Sequence, residues 1–104
     1  MSTRVRALLF LAAGTEAGGE LIADAYHRVS SELAGTAGLL GNELLRCRDE
    51  PDRLVVLSEW ASLADFQRWE RTAGHRAATA PLRPFQEHAA PPRHGCYEVV
   101  ATHH

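Results

Sequence analysis

A chain of 104 residues has room for one domain and one modest core. Hydrophobic residues make up 45% and charged residues 23%, which suits a globular protein and excludes a disordered one. The net charge of −2 leaves no basic surface for nucleic acid, and the 11 basic residues are all arginine, so Schiff-base catalysis by a lysine is excluded.

Residues 4–13 form a continuous apolar run with no helical period, as a central strand covered on both faces would show. Arg4 and Arg6 ahead of that run also resemble the start of a short signal peptide. The run is at the short limit of a secretory segment, and its removal would delete one of the four strand candidates, so it is read as a strand. Thr15 can cap a helix that starts just after it. Leu21, Ile22, Ala25, Tyr26, Val29 and Leu33 recur at helical spacing as far as Gly35, which predicts an amphipathic helix of roughly four turns. Gly18 and Gly19 weaken its start.

Residues 38–48 read as a second strand and residues 54–60 as a third. Between them, Pro51 and its acidic neighbours are turn chemistry, so the two strands form a hairpin. Ser62-x-x-Asp65 then opens a second helix, the serine side chain taking an orphan backbone N–H. Leu63, Phe66, Trp69 and Ala73 share one face of it, and Gly74 is expected to end it. A short helical turn is expected over residues 75–80. Pro81, Pro84, Pro91 and Pro92 make residues 81–94 a proline-rich loop, and residues 95–102 alternate as a last strand.

The order is β-α-β-β-α-β within a single domain, residues 1–104. It predicts an α+β fold of the ferredoxin-like kind: a four-stranded antiparallel sheet with helices on one face. The bare face needs cover. A second copy of the chain is the economical cover, so a homodimer with sheets packed face to face is expected. Cys47 and Cys96 are too few for a disulfide scaffold and read as the reduced thiols of a cytoplasmic protein. No apolar run approaches the ~20 residues that span a bilayer. Neither membrane nor nucleic acid is expected as a partner.

The segment Gly38-Leu39-Leu40-Gly41-Asn42-Glu43-Leu44-Leu45-Arg46, followed by Val55-Val56-Leu57-Ser58-Glu59-Trp60, Ser62, Phe66, Trp69 and His75, resembles the antibiotic biosynthesis monooxygenase family of dimeric α/β barrels. The resemblance runs from the first strand to about Phe85. It is fairly specific for the fold and weak for the reaction, because one fold hosts several chemistries. It implies oxygenation of an anthrone or hydroquinone carbon of an aromatic polyketide or related phenolic natural product. It also implies O2 as co-substrate and no metal or flavin. The substrate's phenol or enol loses a proton and the electron-rich anion reduces O2 itself. The protein supplies a dry pocket, a proton acceptor and oxyanion donors.

This chain departs from the family's anthrone oxygenases at three polar positions. Val56 stands where they carry Asn, Phe66 where they carry Tyr, and Arg46 where they carry His. Only Trp60 of that polar set is kept. The haem-degrading relatives have an Asn on the first strand and a His ten residues after the helix tryptophan. Here the first strand has no Asn and the second position is Thr79, so haem is discounted.

Strand alternation puts Leu54, Val56, Ser58 and Trp60 on one side of the third strand, the pocket side by family analogy. The matching side of the second strand is Leu40, Asn42, Leu44 and Arg46. Arg46 suits a phenolate or enolate oxygen, being always charged with a forked donor. It also suits a strand-end salt bridge to Glu43 or Asp49. Trp60, kept from the family's polar set, is a catalytic candidate with Arg46 and His75; Trp60, Trp69 and Phe66 are also candidate walls for a flat substrate, or plain core. His75 matches a recurrent family histidine and is the candidate general base, since histidine changes charge near neutral pH. Its bland reading is a surface residue beside Gly74. Tyr26, on the apolar face of the first helix, can offer its hydroxyl to the pocket, whereas His27 reads as exposed.

His88, His94, Cys96, His103 and His104 crowd the last seventeen residues, yet their spacing fits no standard zinc pattern, and no metal is expected. Reduced flavin from a partner protein stays an open alternative. So do two other functions: a cyclase or isomerase working by proton transfer alone, and an accessory protein that binds a small aromatic ligand without chemistry.

Overall fold

The computed structural model describes residues 3–72, 74–87 and 94–104. Its strands are β1 (Val5–Ala12), β2 (Leu39–Arg46), β3 (Arg53–Trp60) and β4 (His94–Glu98). They form one antiparallel sheet in the order β2-β3-β1-β4. Three helices, α1 (Glu16–Leu33), α2 (Leu63–Glu70) and α3 (Gly74–Thr79), connect them. This is the ferredoxin-like α+β arrangement.

Thr15 caps α1, its Oγ1 accepting from Gly18 N at 3.2 Å. Ile22, Ala25, Val29 and Leu33 form the buried stripe of that helix and meet Leu11, Leu54 and Leu82 in the core. Leu21, one residue off the stripe, is exposed. Gly18 has a packing reason: a Cβ there would collide with the Ala13 carbonyl oxygen. The first turn can lie on the end of β1 only without a side chain. Gly35, at φ +84, follows the helix as the expected stop.

The β2–β3 hairpin closes where Cys47 N donates to Arg53 O at 2.9 Å and Arg53 N to Glu50 O at 2.8 Å. A bulge between Leu39 and Gly41 makes Leu39, rather than Leu40, the partner of Trp60. Simple alternation expects Leu40 on the helix side. The extra residue turns Leu39 there instead and leaves Leu40 exposed.

Ser62 caps α2 as expected, accepting from Asp65 N at 3.1 Å. Gly74 does not end that helix. It ends at Glu70, where Thr72 Oγ1 donates to the Trp69 carbonyl at 2.7 Å, and Gly74 opens α3. Ala73 lies outside the described residues. The proline-rich stretch begins as a 3-10 helix, Ala80–Phe85, with proline in its first turn, where no N–H is needed. Its remainder, residues 88–93 with Pro91 and Pro92, lies outside the described residues. β4 stops at Glu98, short of the expected residue 102, because its partner β1 begins at Val5; only Val99 N still reaches Arg4 O, at 2.9 Å.

The helices lie on the sheet face that carries Leu11, Leu54 and Trp60. On the other face Leu8, Phe10, Val55 and Leu57 are half-buried, and Leu45 and Tyr97 are 39% and 49% exposed, with no described element over them. Among the described residues, no helix is long and apolar enough to cross a membrane.

Candidate active site

In an antiparallel sheet, paired residues share a face, so the helix side can be read in rows. One row holds Asn42, Ser58, Ala7 and Cys96, from β2, β3, β1 and β4 in spatial order. The row on one side is Leu39, Trp60 and Val5; the row on the other is Leu44, Val56 and Leu9. A cavity of about 780 Å3 lies between this sheet and the helices, and all four members of the middle row line it. Its wall also includes Tyr26, Val29 and Ser30 of α1, Phe66, Trp69 and Glu70 of α2, His75 and Arg76 of α3, and Arg83 of the 3-10 helix.

Polar groups in such a cavity need partners, because each one left unpaired costs on the order of 1–3 kcal/mol. Asn42 Oδ1 accepts from the Tyr26 hydroxyl at 2.5 Å and from Ser30 Oγ at 3.0 Å. Ser58 Oγ accepts from Trp60 Nε1 at 2.9 Å. Trp60 is fully buried and anchors an aromatic cluster. Its ring centroid lies 5.2 Å from that of Trp69 and 5.5 Å from that of Phe66, the latter edge-on. His75, half-buried at the start of α3, stands 4.4 Å from Trp69, also edge-on.

Nine of the ten expected site residues therefore fall into two groups. Tyr26, Asn42, Val56, Ser58, Trp60, Phe66, Trp69 and His75 all line the cavity. Leu44 packs against the core beside Val56 without lining it. The tenth, Arg46, is exposed and pairs with Leu54, two rows beyond Asn42. That is about 13 Å along the strand. Its guanidinium lies over Gly19 at the first turn of α1. It makes no ion pair with Glu43, Asp49 or any other described carboxylate. His27 is exposed, as expected.

Several lining residues escape sequence reasoning, among them Glu70, Arg76, Arg83, Ser30 and Cys96. Ser30 sits four residues after Tyr26, one helical turn further, and that spacing is a usable signal. Cys96 joins the row only through the β1–β4 register, which nothing local announces. Burial, followed by the charges of Glu70 and Glu98, pushes its thiol up from the ordinary 9.0. The thiol form is thereby favoured and the nucleophilic thiolate disfavoured.

Among the described residues no three of His, Cys, Asp and Glu come together as metal ligands would. His88 and the His94 side chain lie outside the described residues. His103 and His104 are exposed.

Known proteins resemble this chain in family and fold. The antibiotic biosynthesis monooxygenase family model matches residues 5–81. Protein SchA of Streptomyces halstedii is 32% identical over 83 residues, 80% of this chain and 22% of that protein. A 42.8 kDa protein in the whiE locus of Streptomyces coelicolor is 30% identical over 80 residues, 77% of this chain and 20% of that protein. The chain thus spans about a fifth of the length of the curated relatives it matches. Among solved structures, a variant of SnoaB, described as a cofactor-independent oxygenase from Streptomyces nogalater, superposes with a TM-score of 0.77. It is 19% identical, over 97% of each chain. A protein from Bordetella bronchiseptica, described only as a putative antibiotic biosynthesis monooxygenase, gives 0.75 at 13% identity, over 96% of this chain and 100% of that one. At such identities the solved structures share the fold and no more.

Proposed function

Because the chain belongs to the antibiotic biosynthesis monooxygenase family, we propose that it oxidises an anthrone- or hydroquinone-type carbon of an aromatic polyketide or related phenolic natural product with O2. The observation that carries this reading is the cavity. It is about 780 Å3, walled by Trp69 and Phe66, and it holds a histidine against one indole. A flat aromatic of several fused rings fits that shape and chemistry.

In this reading His75 accepts the proton of the phenol or enol. The resulting anion gives its electrons to O2, one oxygen atom ending as the new carbonyl and the other in water. Trp69 and Phe66 hold the ring face, with Tyr26, Asn42, Val56 and Ser58 around it. The cofactor-free part of the proposal draws on SnoaB, a structural neighbour described as working without one. Arg46 stands too far along β2 to reach the same oxygen unless the substrate extends past Val56.

The proposal includes a homodimer. A second copy would cover the open sheet face, whose apolar centre no described element covers. A second reading, a cyclase or isomerase on the same scaffold, draws on Val56, Phe66 and Arg46, which replace the polar residues that the resemblance ties to oxygenation. It needs His75 and oxyanion donors but no O2.

The experiment is O2 uptake by metal-stripped protein given a simple anthrone, with the quinone chromophore followed in parallel. Catalysed uptake with stoichiometric quinone and no added cofactor is expected. Uptake no faster than the spontaneous background, with and without reduced flavin, would overturn the oxygenase reading. Turnover of a polyketide substrate under nitrogen would then select the cyclase or isomerase.

A further inference from the structure

We propose that Asn42 and Ser58 form an oxyanion cradle, two donors that together hold the phenolate or enolate oxygen of a fused-ring phenol, and that Trp60, Tyr26 and Ser30 are positioning residues that aim them. The inference rests on reading the cavity as a site for such a phenol, and not on O2 reacting there.

The two donors are direct cross-strand partners on β2 and β3. Their Cβ atoms therefore stand about 5 Å apart on one face, and a single oxygen placed between the side chains meets both. Each is set from behind. An indole N–H only donates, so the bond from Trp60 Nε1 leaves Ser58 Oγ as acceptor, with its own proton still to give. That proton has no acceptor among the described residues, and Ser58 lines the cavity. Trp60 is fully buried and its one N–H is given to Ser58, so it acts through Ser58.

Asn42 is set in the same way. Its Oδ1 takes hydrogen bonds from both the Tyr26 and the Ser30 hydroxyls. With the amide oxygen so occupied, Nδ2 and its two N–H groups are left for the cavity, with no acceptor among the described residues. Ala7, next to Ser58 in the row, is small enough to leave space for a ring beside that oxygen. Donors fixed in advance and partly buried stabilise developing negative charge more than mobile water does. The cation expected for this task, Arg46, lies elsewhere; Arg76 and Arg83 line other parts of the cavity wall, and the two cradle donors themselves are uncharged and depend on their orientation.

The test uses alizarin, a hydroxyanthraquinone whose phenol changes colour on ionising and which is already at the quinone level. The apparent pKa of the bound phenol is read by absorbance in the parent and in variants. Binding is expected to lower it below that of free alizarin. Ser58→Ala and Asn42→Ala should each raise the bound value by about one unit, a tenfold change in ionisation, as loss of a hydrogen bond to a charged group requires. Trp60→Phe should raise it as Ser58→Ala does, and Tyr26→Phe combined with Ser30→Ala as Asn42→Ala does. A residue that only shaped the wall would weaken both ionisation states alike and leave the pKa unmoved. If Trp60→Phe does not fold, Ser58→Ala decides the β3 half alone. No binding by the parent, no lowering on binding, or a value unchanged in both Ser58→Ala and Asn42→Ala would overturn the cradle. A lowered, variant-sensitive pKa without any O2 uptake on anthrone would keep the cradle and remove the oxygenase reading.

Discussion

The imidazole of His75 stands edge-on to the indole of Trp69, ring centroids 4.4 Å apart and planes at 71°. Trp69 lies in turn against Trp60, which no solvent reaches, so the histidine is tied through two indoles to the end of β3. A general base must stay within hydrogen-bond reach of its proton, and this tether limits where the ring can go. His75→Gln keeps a polar side chain on the wall and removes the base. Its kcat/KM on an anthrone should fall about a hundredfold or more. Thermal unfolding, measured alongside, should change little. An unaltered kcat/KM in the variant would take the base role away from His75.

Gly38 holds the start of β2 against the start of α2. It adopts φ +86, and a Cβ on it would run into the Asp65 side chain. Its carbonyl accepts from Ala61 N at 2.8 Å, so the end of β3 meets the same point. Gly14 also has a positive φ, +75, but nothing lies within 4 Å of its added Cβ. Gly14→Ala should therefore cost only the left-handed strain, about 1–2 kcal/mol. Gly38→Ala should add overpacking of about 1–3 kcal/mol to the same strain. Urea midpoints should fall in that order. Equal midpoints would contradict the close approach at Asp65.

Much of this fold is legible in sequence because its signals are local. Thr15 and Ser62 sit where caps belong, and alternation through Leu54, Val56, Ser58 and Trp60 reads the β3 face correctly. Leu40 is misread because a bulge leaves no mark in Leu-Leu-Gly-Asn, and one extra residue inverts the face of whatever lies beyond it. Gly74 is misread because a glycine can open a helix as well as close one, and the actual stop is a threonine hydroxyl on the Trp69 carbonyl. Arg46 shows the limit of alternation. It shares a face with Asn42, but period two says nothing about distance along the strand. Cys96 needed the register of a strand more than 80 residues distant from β1 in sequence. The Trp60–Ser58 bond joins residues two apart on one strand face, a relationship readable in principle from spacing alone.

Asp65 makes the start of α2 acid-sensitive. Its bond from Arg68 first, and from Ser62 second, holds the carboxyl below its ordinary 3.8. A carboxyl lowered in the folded state contributes stability that is complete above its unfolded pKa and is lost as pH falls through the folded value. The contribution should therefore be present at about pH 5 and fade progressively from about pH 4 downward. Asp65→Asn cannot titrate. Its stability should decline less steeply than the parent's across that window, and added salt should narrow the difference because the Arg68 pair is exposed. Parallel acid profiles would assign the parent's loss to other carboxylates.

The two thiols should separate by reactivity. Both thiols are exposed, Cys47 on the β2–β3 turn side and Cys96 at the cavity, where partial burial, then the charges of Glu70 and Glu98, push its thiol up. Alkylation proceeds through the thiolate. Iodoacetamide at neutral pH should modify Cys47 first, as peptide mass mapping would show. An aromatic ligand that fills the cavity should slow modification of Cys96 and leave Cys47 unchanged. Equal protection of both, or of neither, would mean that the ligand binds somewhere else.

The open sheet face supplies the last test. Phe10, Val55 and Leu57 are half-buried only by their neighbours, and Leu45 and Tyr97 project from the same face. Arg4 and Arg6 both pair with Glu59 at one end of it, at 2.9 and 3.8 Å, which leaves the centre apolar. A stable interface buries about 1,200–2,000 Å2 in total, and each apolar Å2 removed from water contributes roughly 25 cal/mol. A two-fold interface repeats every substitution, so one new charge enters it twice. Leu45→Glu should thus shift the light-scattering mass from twice that of the chain to once, with the far-UV spectrum of the helices preserved. Leu63→Glu, on the helix side and equally exposed, should leave the mass alone. If the parent itself runs as a monomer at micromolar concentration, the second copy is not what covers this face.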